Sequence, residues 1–247
     1  MTATQTAREL ARAELTRQIK ETARRHLATS GAAALSLRAV ARELGMTSSA
    51  VYRYFPSRDE LLTVLIIEAY DALGARAEQA DDAVPPSAFL SRWHAVCGAV
   101  REWAAEHPHE YALLYGSPVP GYRAPRDTTG PAARVVTRLA LIVGAGWRAG
   151  QVVRPRDEQT SPDWSLRRAG RAEDDLRRLA GTLDLGDLPV EVLLRAVAAW
   201  SQLFGFISLE SFGQMANAIN DPDAVFEQTT RAMARLVGFR GDAPPSA

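Results

Sequence analysis

The run Ser36-Leu37-Arg38-Ala39-Val40-Ala41-Arg42-Glu43-Leu44-Gly45-Met46-Thr47-Ser48-Ser49-Ala50-Val51-Tyr52-Arg53-Tyr54-Phe55 concentrates side chains suited to an anionic polymer. Thr47, Ser48 and Ser49 place short hydroxyls at the start of a predicted helix. There they can reach base edges or phosphates, and the first N–H groups of a helix also favour an anion. Tyr52, Arg53 and Tyr54 follow, and Ser36 and Arg38 open the helix before it. The same Ser/Thr cluster can instead serve only to cap a helix, with the tyrosines packed into a core; for any single serine both readings stay open.

A pair of helices must hold these side chains in register. A helix-turn-helix needs a small residue where its helices approach, a residue tolerant of positive φ in the turn, and apolar residues joining the two. Ala41, Gly45 and, six residues later, Val51 meet that requirement, with Val40, Leu44 and Met46 supplying a buried face. Ser36 starts the first helix, Gly45 stops it, and Thr47 or Ser48 starts the second. Ahead of them a helix from about Thr6 to about Ala28 carries Leu10, Ala13, Ile19, Ala23 and Leu27 along one face and ends before Gly31. Behind them Ser57-Arg58-Asp59-Glu60 has the spacing of a capping box and opens a long helix to about Ala80.

The segment SLRAVARELGMTSSAVYRYFPSRDELL resembles the DNA-binding segment of the TetR/AcrR family of bacterial transcription regulators. The resemblance covers residues 1 to about 75 at the level of motif and the remainder in architecture. It implies an all-α fold: a three-helix helix-turn-helix head, residues 1–60, followed by a helical ligand-binding and dimerisation bundle, 61–240, and a disordered tail, 241–247. It also implies a homodimer on a palindromic, double-stranded operator, usually as a repressor. By the same resemblance Ser48, Ser49 and Tyr54 fall where base edges are contacted, Tyr52 where a phosphate is, and Ser36 and Arg38 beside the backbone or a nearby base. Arg58 replaces a common lysine as a phosphate anchor, keeping the charge; Thr47 completes the DNA-binding set. Pro56 departs from the polar residue many members carry and stiffens the exit.

Beyond the head, helices are expected from Ser87 to about Glu106, Pro108 to Leu114, Pro131 to Gly150, Pro189 to Ala216 and Pro222 to Val237, with Val153 to Arg171 an exposed excursion. A regulator needs a second site whose ligand distinguishes two states. Aromatic and apolar candidates are Trp93, Cys97, Val100 and Trp103 in one stripe, Tyr111 and Tyr115 in another, then Trp147, Trp200 and Phe204, fitting a small, largely apolar effector. The same residues also make an ordinary core. His107 to Gly116, with Trp200 and Phe204-Gly205, resembles a TetR subclass marked by Trp and then His-Gly, Phe204 standing where the His is expected. Closing helices of the family usually form the dimer bundle, so Val192–Met215 and Phe226–Val237 are interface candidates, with Ala196, Ala199, Gly205 and Ser208 allowing close packing.

Of 247 residues, 47% are hydrophobic and 23% charged, which suits a globular chain able to bury a core. Net charge is zero, yet the first 60 residues hold ten Lys+Arg against six Asp+Glu, so the positive charge sits at one end. The apolar run Leu139–Trp147 is too short to span a bilayer, and the N-terminus shows no apolar signal region, so a cytoplasmic protein with no membrane partner is expected. Cys97 is the single cysteine, which excludes an intrachain disulfide. Gly144-Ala145-Gly146-Trp147-Arg148-Ala149-Gly150 misses the dinucleotide spacing by one residue and follows no strand. P-loop, nucleophile-elbow and zinc-hydrolase motifs are missing, so no enzyme and no cofactor is expected. His94 with Cys97, and His107 with His109, are weak metal candidates, and no metal site is assigned. The competing class is a helical small-molecule-binding or scaffold protein that no longer reads DNA. The cluster Ser48, Ser49, Tyr52, Tyr54 and Arg58 argues against it.

Overall fold

The computed structural model describes residues 7–154 and 170–241. Among the described residues ten α-helices follow one another: α1 Ala7–Ser30, α2 Leu37–Glu43, α3 Ser48–Tyr52, α4 Arg58–Asp82, α5 Phe89–Glu106, α6 Pro108–Tyr115, α7 Thr129–Arg148, α8 Gly170–Thr182, α9 Val190–Ser211 and α10 Pro222–Val237. Short 3₁₀ turns lie at Ala32–Ala34 and Arg126–Thr128. Among the described residues the one β feature is an isolated antiparallel bridge between Val152 and Phe239, so the fold is all-α as expected. The expected tail lies almost wholly outside the described residues, as does most of the expected excursion; of the latter, Val153 donates to the Gly238 carbonyl at 2.9 Å and Gly170 already begins α8. That charge-rich helix is an element the sequence reading did not foresee.

Contacts divide the chain into two compact units, Met1–Ala72 with His107–Ala132, and Leu73–Glu106 with Ala133–Ala247. In the first, Ile19, Ala23 and Leu27 of α1 close over Val40 and Ala41 of α2, Val51 of α3 and Leu61, Leu62 and Leu65 of α4. All are buried, and Leu113, Leu114 and Tyr122 pack against the edge of this cluster. The expected cap opens α4: Ser57 Oγ accepts from the Glu60 N–H at 3.1 Å.

The second unit is tied by charge as well as by apolar burial. Asp81 at the end of α4 has no exposed side-chain surface, and its carboxylate meets Arg92 Nε of α5 at 2.7 Å and Arg138 Nε of α7 at 2.5 Å. Two guanidiniums offset the desolvation of one buried carboxylate. Arg101 of α5 joins Glu210 of α9 and Asp223 of α10 at 2.5 and 2.7 Å, and lies 4.7 Å from the Phe226 ring centre. Two glycines of α7 are packing residues: a Cβ on Gly144 would collide with Leu185, and one on Gly146 would lie 2.9 Å from Val152 Cγ2. By length and composition α9 could cross a bilayer, a stretch the sequence reading passed over. Buried Arg195 in its first third, together with Val192, Ala199, Leu203 and Ile207 on the same inward face, marks it as a core helix.

Candidate nucleic-acid interface

The turn between α2 and α3 is built by backbone rather than by side chains. Met46 N–H donates to the Ala41 carbonyl at 2.8 Å and Gly45 N–H to that of Arg42 at 3.2 Å, the paired bonds of a Schellman motif. Gly45 has φ +65°, the left-handed conformation that glycine adopts at no steric cost. Ala41 is 1% exposed and Val51 fully buried, so the small contact and the apolar joint stand where the spacing put them. Leu44 and Met46 are only partly buried, at the rim of that core.

This frame distributes the predicted DNA-contacting residues unequally. Thr47, Ser49 and Tyr52 are exposed, and Ser48 is half-buried. Thr47 and Ser49 hydroxyls lie 3.1 Å apart, and Thr47 makes no side-chain cap. Tyr52, 42% exposed, projects its ring and hydroxyl to solvent; it is not core. Tyr54 is half-buried against the core cluster, with the Arg12 guanidinium 5.3 Å from its ring centre. Ser36 is an N-cap whose oxygen accepts from the Ala39 N–H at 3.5 Å, while Arg38 two residues on is exposed. The helical run ends at Tyr52, so Arg53 is its C-cap and Tyr54 lies in the turn beyond.

Arg58 is engaged within the protein. Its Nη2 donates to the carbonyls of Ala32 at 3.0 Å and Ala33 at 3.3 Å, and its Nε is buried without a partner. The side chain therefore closes the 3₁₀ turn onto α4. Truncating Arg58 strips two carbonyls of a charged donor, so its removal perturbs the fold as well as any phosphate contact.

Sorting the basic residues of the head shows what spacing alone left out. Arg17 sits between Glu14 and Glu21, both at 2.5 Å, and Glu14 is held down to about 2 chiefly by its hydrogen bonds to Arg17. Lys20 and Arg24 share Glu68, and Arg25 with His26 holds Glu43, whose carboxyl is lowered mainly by Arg25. By contrast, Arg8, Arg12, Arg38, Arg42 and Arg53 are exposed and meet no carboxylate among the described residues. Arg8/Arg12 and Arg38/Arg42 are like charges four residues apart on a helix, an arrangement that costs a few tenths of a kcal/mol and is recovered only against a polyanion. That like-charge spacing was the signal available in the sequence.

Residues 19–65 match the family described as bacterial regulatory proteins, tetR family, and residues 93–233 match the Tetracyclin repressor-like, C-terminal domain. The HTH-type transcriptional regulator Rv1816 of Mycobacterium tuberculosis is 40% identical over 230 residues, covering 92% of this chain and 94% of its own. The chain belongs to the TetR family. Its head is the DNA-binding helix-turn-helix of a TetR-family transcriptional regulator. The crystal structure of the regulatory protein SCO4313 superposes with a TM-score of 0.71 at 34% identity, covering 92% of this chain and 98% of that one. A tetR-family regulatory protein from Rhodococcus RHA1, 18% identical with a TM-score of 0.58 and covering 91% and 97%, shares the fold.

The nine effector candidates of this TetR-family chain are divided between the two units. Trp93, Cys97, Val100 and Trp103 are buried core residues of α5 in the second unit. Trp93 packs 5.5 Å from Phe239, and its indole N–H is buried without a partner. Burial pushes the Cys97 thiol well above its ordinary range. Tyr111 and Tyr115 belong to the first unit, 4.9 Å apart, with Tyr70 edge-on to Tyr115 at 6.1 Å and burial raising both Tyr70 and Tyr115. Trp200 and Phe204, 6.2 Å apart, lie on α9, Trp200 exposed and Phe204 half-buried. Trp147 alone of the nine lines an open cleft of about 530 Å³, with Arg154, Glu173, Arg177, Leu188, Pro189 and Glu191 among its walls. Its lining mixes charge with apolar surface. No group of three or more His, Cys, Asp or Glu suited to a metal occurs among the described residues.

Proposed function

We propose that this TetR-family regulator binds a palindromic operator as a homodimer, acts as a repressor, and is released by a small-molecule effector; it is a cytoplasmic DNA-binding protein and not an enzyme. The observation that carries the reading is the set of exposed arginines without carboxylate partners around the hydroxyls of α3, on a rigid turn. Ser48, Ser49 and Tyr54 read base edges, and Tyr52 holds a phosphate. One head of such modest charge binds weakly, so two must act together, with half-sites about one helical turn, or a multiple, apart.

The second head comes from a copy joined through α9 and α10. Their inward residues, Ala199 included, are committed to the core, which leaves the outer face. Trp200, Leu209, Phe212 and Val225, on these helices or at their ends, are exposed apolar side chains that a partner helix pair would cover. For the effector, the cleft beside Trp147 favours a molecule that is apolar at one end and charged at the other. The unpartnered Trp93 N–H marks a second interior point able to receive a hydrogen-bond acceptor.

Enrichment of duplexes from a random pool, followed by gel shifts at several salt concentrations, tests the reading. Recovery of an inverted repeat bound by two chains with steep salt dependence is the expected result. Failure to enrich any duplex, or salt-insensitive binding by one chain, would refute it. Trp200→Glu should convert the dimer to a monomer in sedimentation while its helical signal is kept.

A further inference from the structure

The first half of α1 is built differently from the rest of the head. Its earliest buried side chain is Ile19, so residues 7–18, about 18 Å of helix, bury nothing fully. Local pairs sustain this stretch: Glu14 with Arg17 and with Gln18, and Arg17 with Glu21. On the stripe that continues the buried one, Ile19 is preceded by half-buried Leu15, then by exposed Arg12 and Arg8. Helical spacing therefore turns one stripe from apolar to cationic where the core ends.

The cationic end lies beside the recognition helix. The Arg12 guanidinium sits 5.3 Å from the centre of the Tyr54 ring, one residue past the C-cap of α3. Neither Arg8 nor Arg12 meets a carboxylate among the described residues, although Glu14 and Glu21 lie on the same helix and are taken by Arg17. An exposed helix end held by ion pairs on one side, with two adjacent like charges kept free on the other, is placed to meet a dense line of negative charge.

We propose that the amino-terminal half of α1 is a second DNA-contacting element, in which Arg8 and Arg12 take up backbone phosphates flanking the half-site that α3 contacts. The inference rests on the operator-binding reading above. Phosphate contacts carry no sequence information, so these arginines add affinity and fix the angle of the head without altering which bases are preferred. Arg12 also holds Tyr54, which couples the flanking grip to the recognition helix.

The test uses the full-length protein and the duplex it enriches from a random pool, intact or trimmed by a few base pairs at each end. Affinity is followed by fluorescence anisotropy between about 50 and 200 mM NaCl. Arg8→Gln with Arg12→Gln should weaken binding about 10- to 100-fold and reduce the magnitude of the salt slope by roughly 3 to 4 for four charges per dimer. Arg8→Lys with Arg12→Lys should restore most of both, because a point charge suffices at a phosphate. Trimming should weaken the wild type and leave the glutamine variant unaffected. An unchanged slope, or equal losses on trimming for both proteins, would overturn the proposal. So would a changed base preference at constant slope, since that outcome belongs to Arg12 acting only through Tyr54. If the wild type enriches no duplex, the operator reading fails first; if it does and the variants match it, only the role of α1 falls.

Discussion

Tyr52→Phe separates DNA contact from folding better than any other substitution in the head. The ring is 42% exposed and its hydroxyl has no bond within the protein among the described residues, so deleting one oxygen should change stability by less than about 0.5 kcal/mol. A hydrogen bond from that hydroxyl to a charged phosphate contributes about 1.5–3 kcal/mol. Two heads double the loss to about 3–6 kcal/mol, and because the released phosphate regains water the lower end is expected, roughly a 100-fold rise in Kd. No charge is removed, so the slope of log K against log salt should stay the same. Anisotropy on the enriched duplex measures the loss, and a thermal melt run in parallel measures the fold. Unaltered affinity would refute the phosphate role of Tyr52. A melting temperature lowered by more than a few degrees would refute the claim that its ring is only half engaged.

Arg58→Ala, in contrast, should cost about 2 kcal/mol of stability, a fall of roughly 4–8 °C in Tm, since the Ala32 and Ala33 carbonyls lose their donor; an unchanged melt would show the clamp to be idle. Gly144→Ala should cost about 1–3 kcal/mol by forcing Leu185 aside, read as a lower denaturation midpoint at constant m-value. The Glu78 carboxyl is lowered mainly by its hydrogen bonds to Arg134. Stability from that pair is therefore present above the ordinary carboxylate value and lost as pH falls through the depressed one. Wild type should lose Tm more steeply below about pH 4.5 than Glu78→Gln, and parallel curves would exclude the linkage.

The head was legible because its rules are local. An alanine, a glycine and a valine at set spacings specify a turn whose hydrogen bonds are all backbone, and Ser57 with Glu60 announces the next helix. The clamp made by Arg58 was not legible because its partners are carbonyls of a 3₁₀ turn some 25 residues earlier, which no side-chain pattern advertises. Helix α8 escaped notice since charged residues dominate its first turns and its apolar stripe, Leu176 and Ala180, is short; its Glu173–Arg177 pair adds support. Aromatic spacing likewise could not tell a core stripe from a ligand wall, as both obey the same period, and it gave no sign that Trp93 packs against the distant Phe239. Of the interface candidates, Ala199 looked like a close-packing surface residue but faces inward, because the stripe of α9 is set by Val192, Leu203 and Ile207.

The one thiol of this chain is sealed inside α5, fully buried and held protonated. Oxidants and alkylating dyes alike attack the thiolate, so Cys97 is chemically silent in the folded protein. A cysteine introduced anywhere on the surface would thus be the sole reactive handle, ready for a spin label or fluorophore with no native background to subtract.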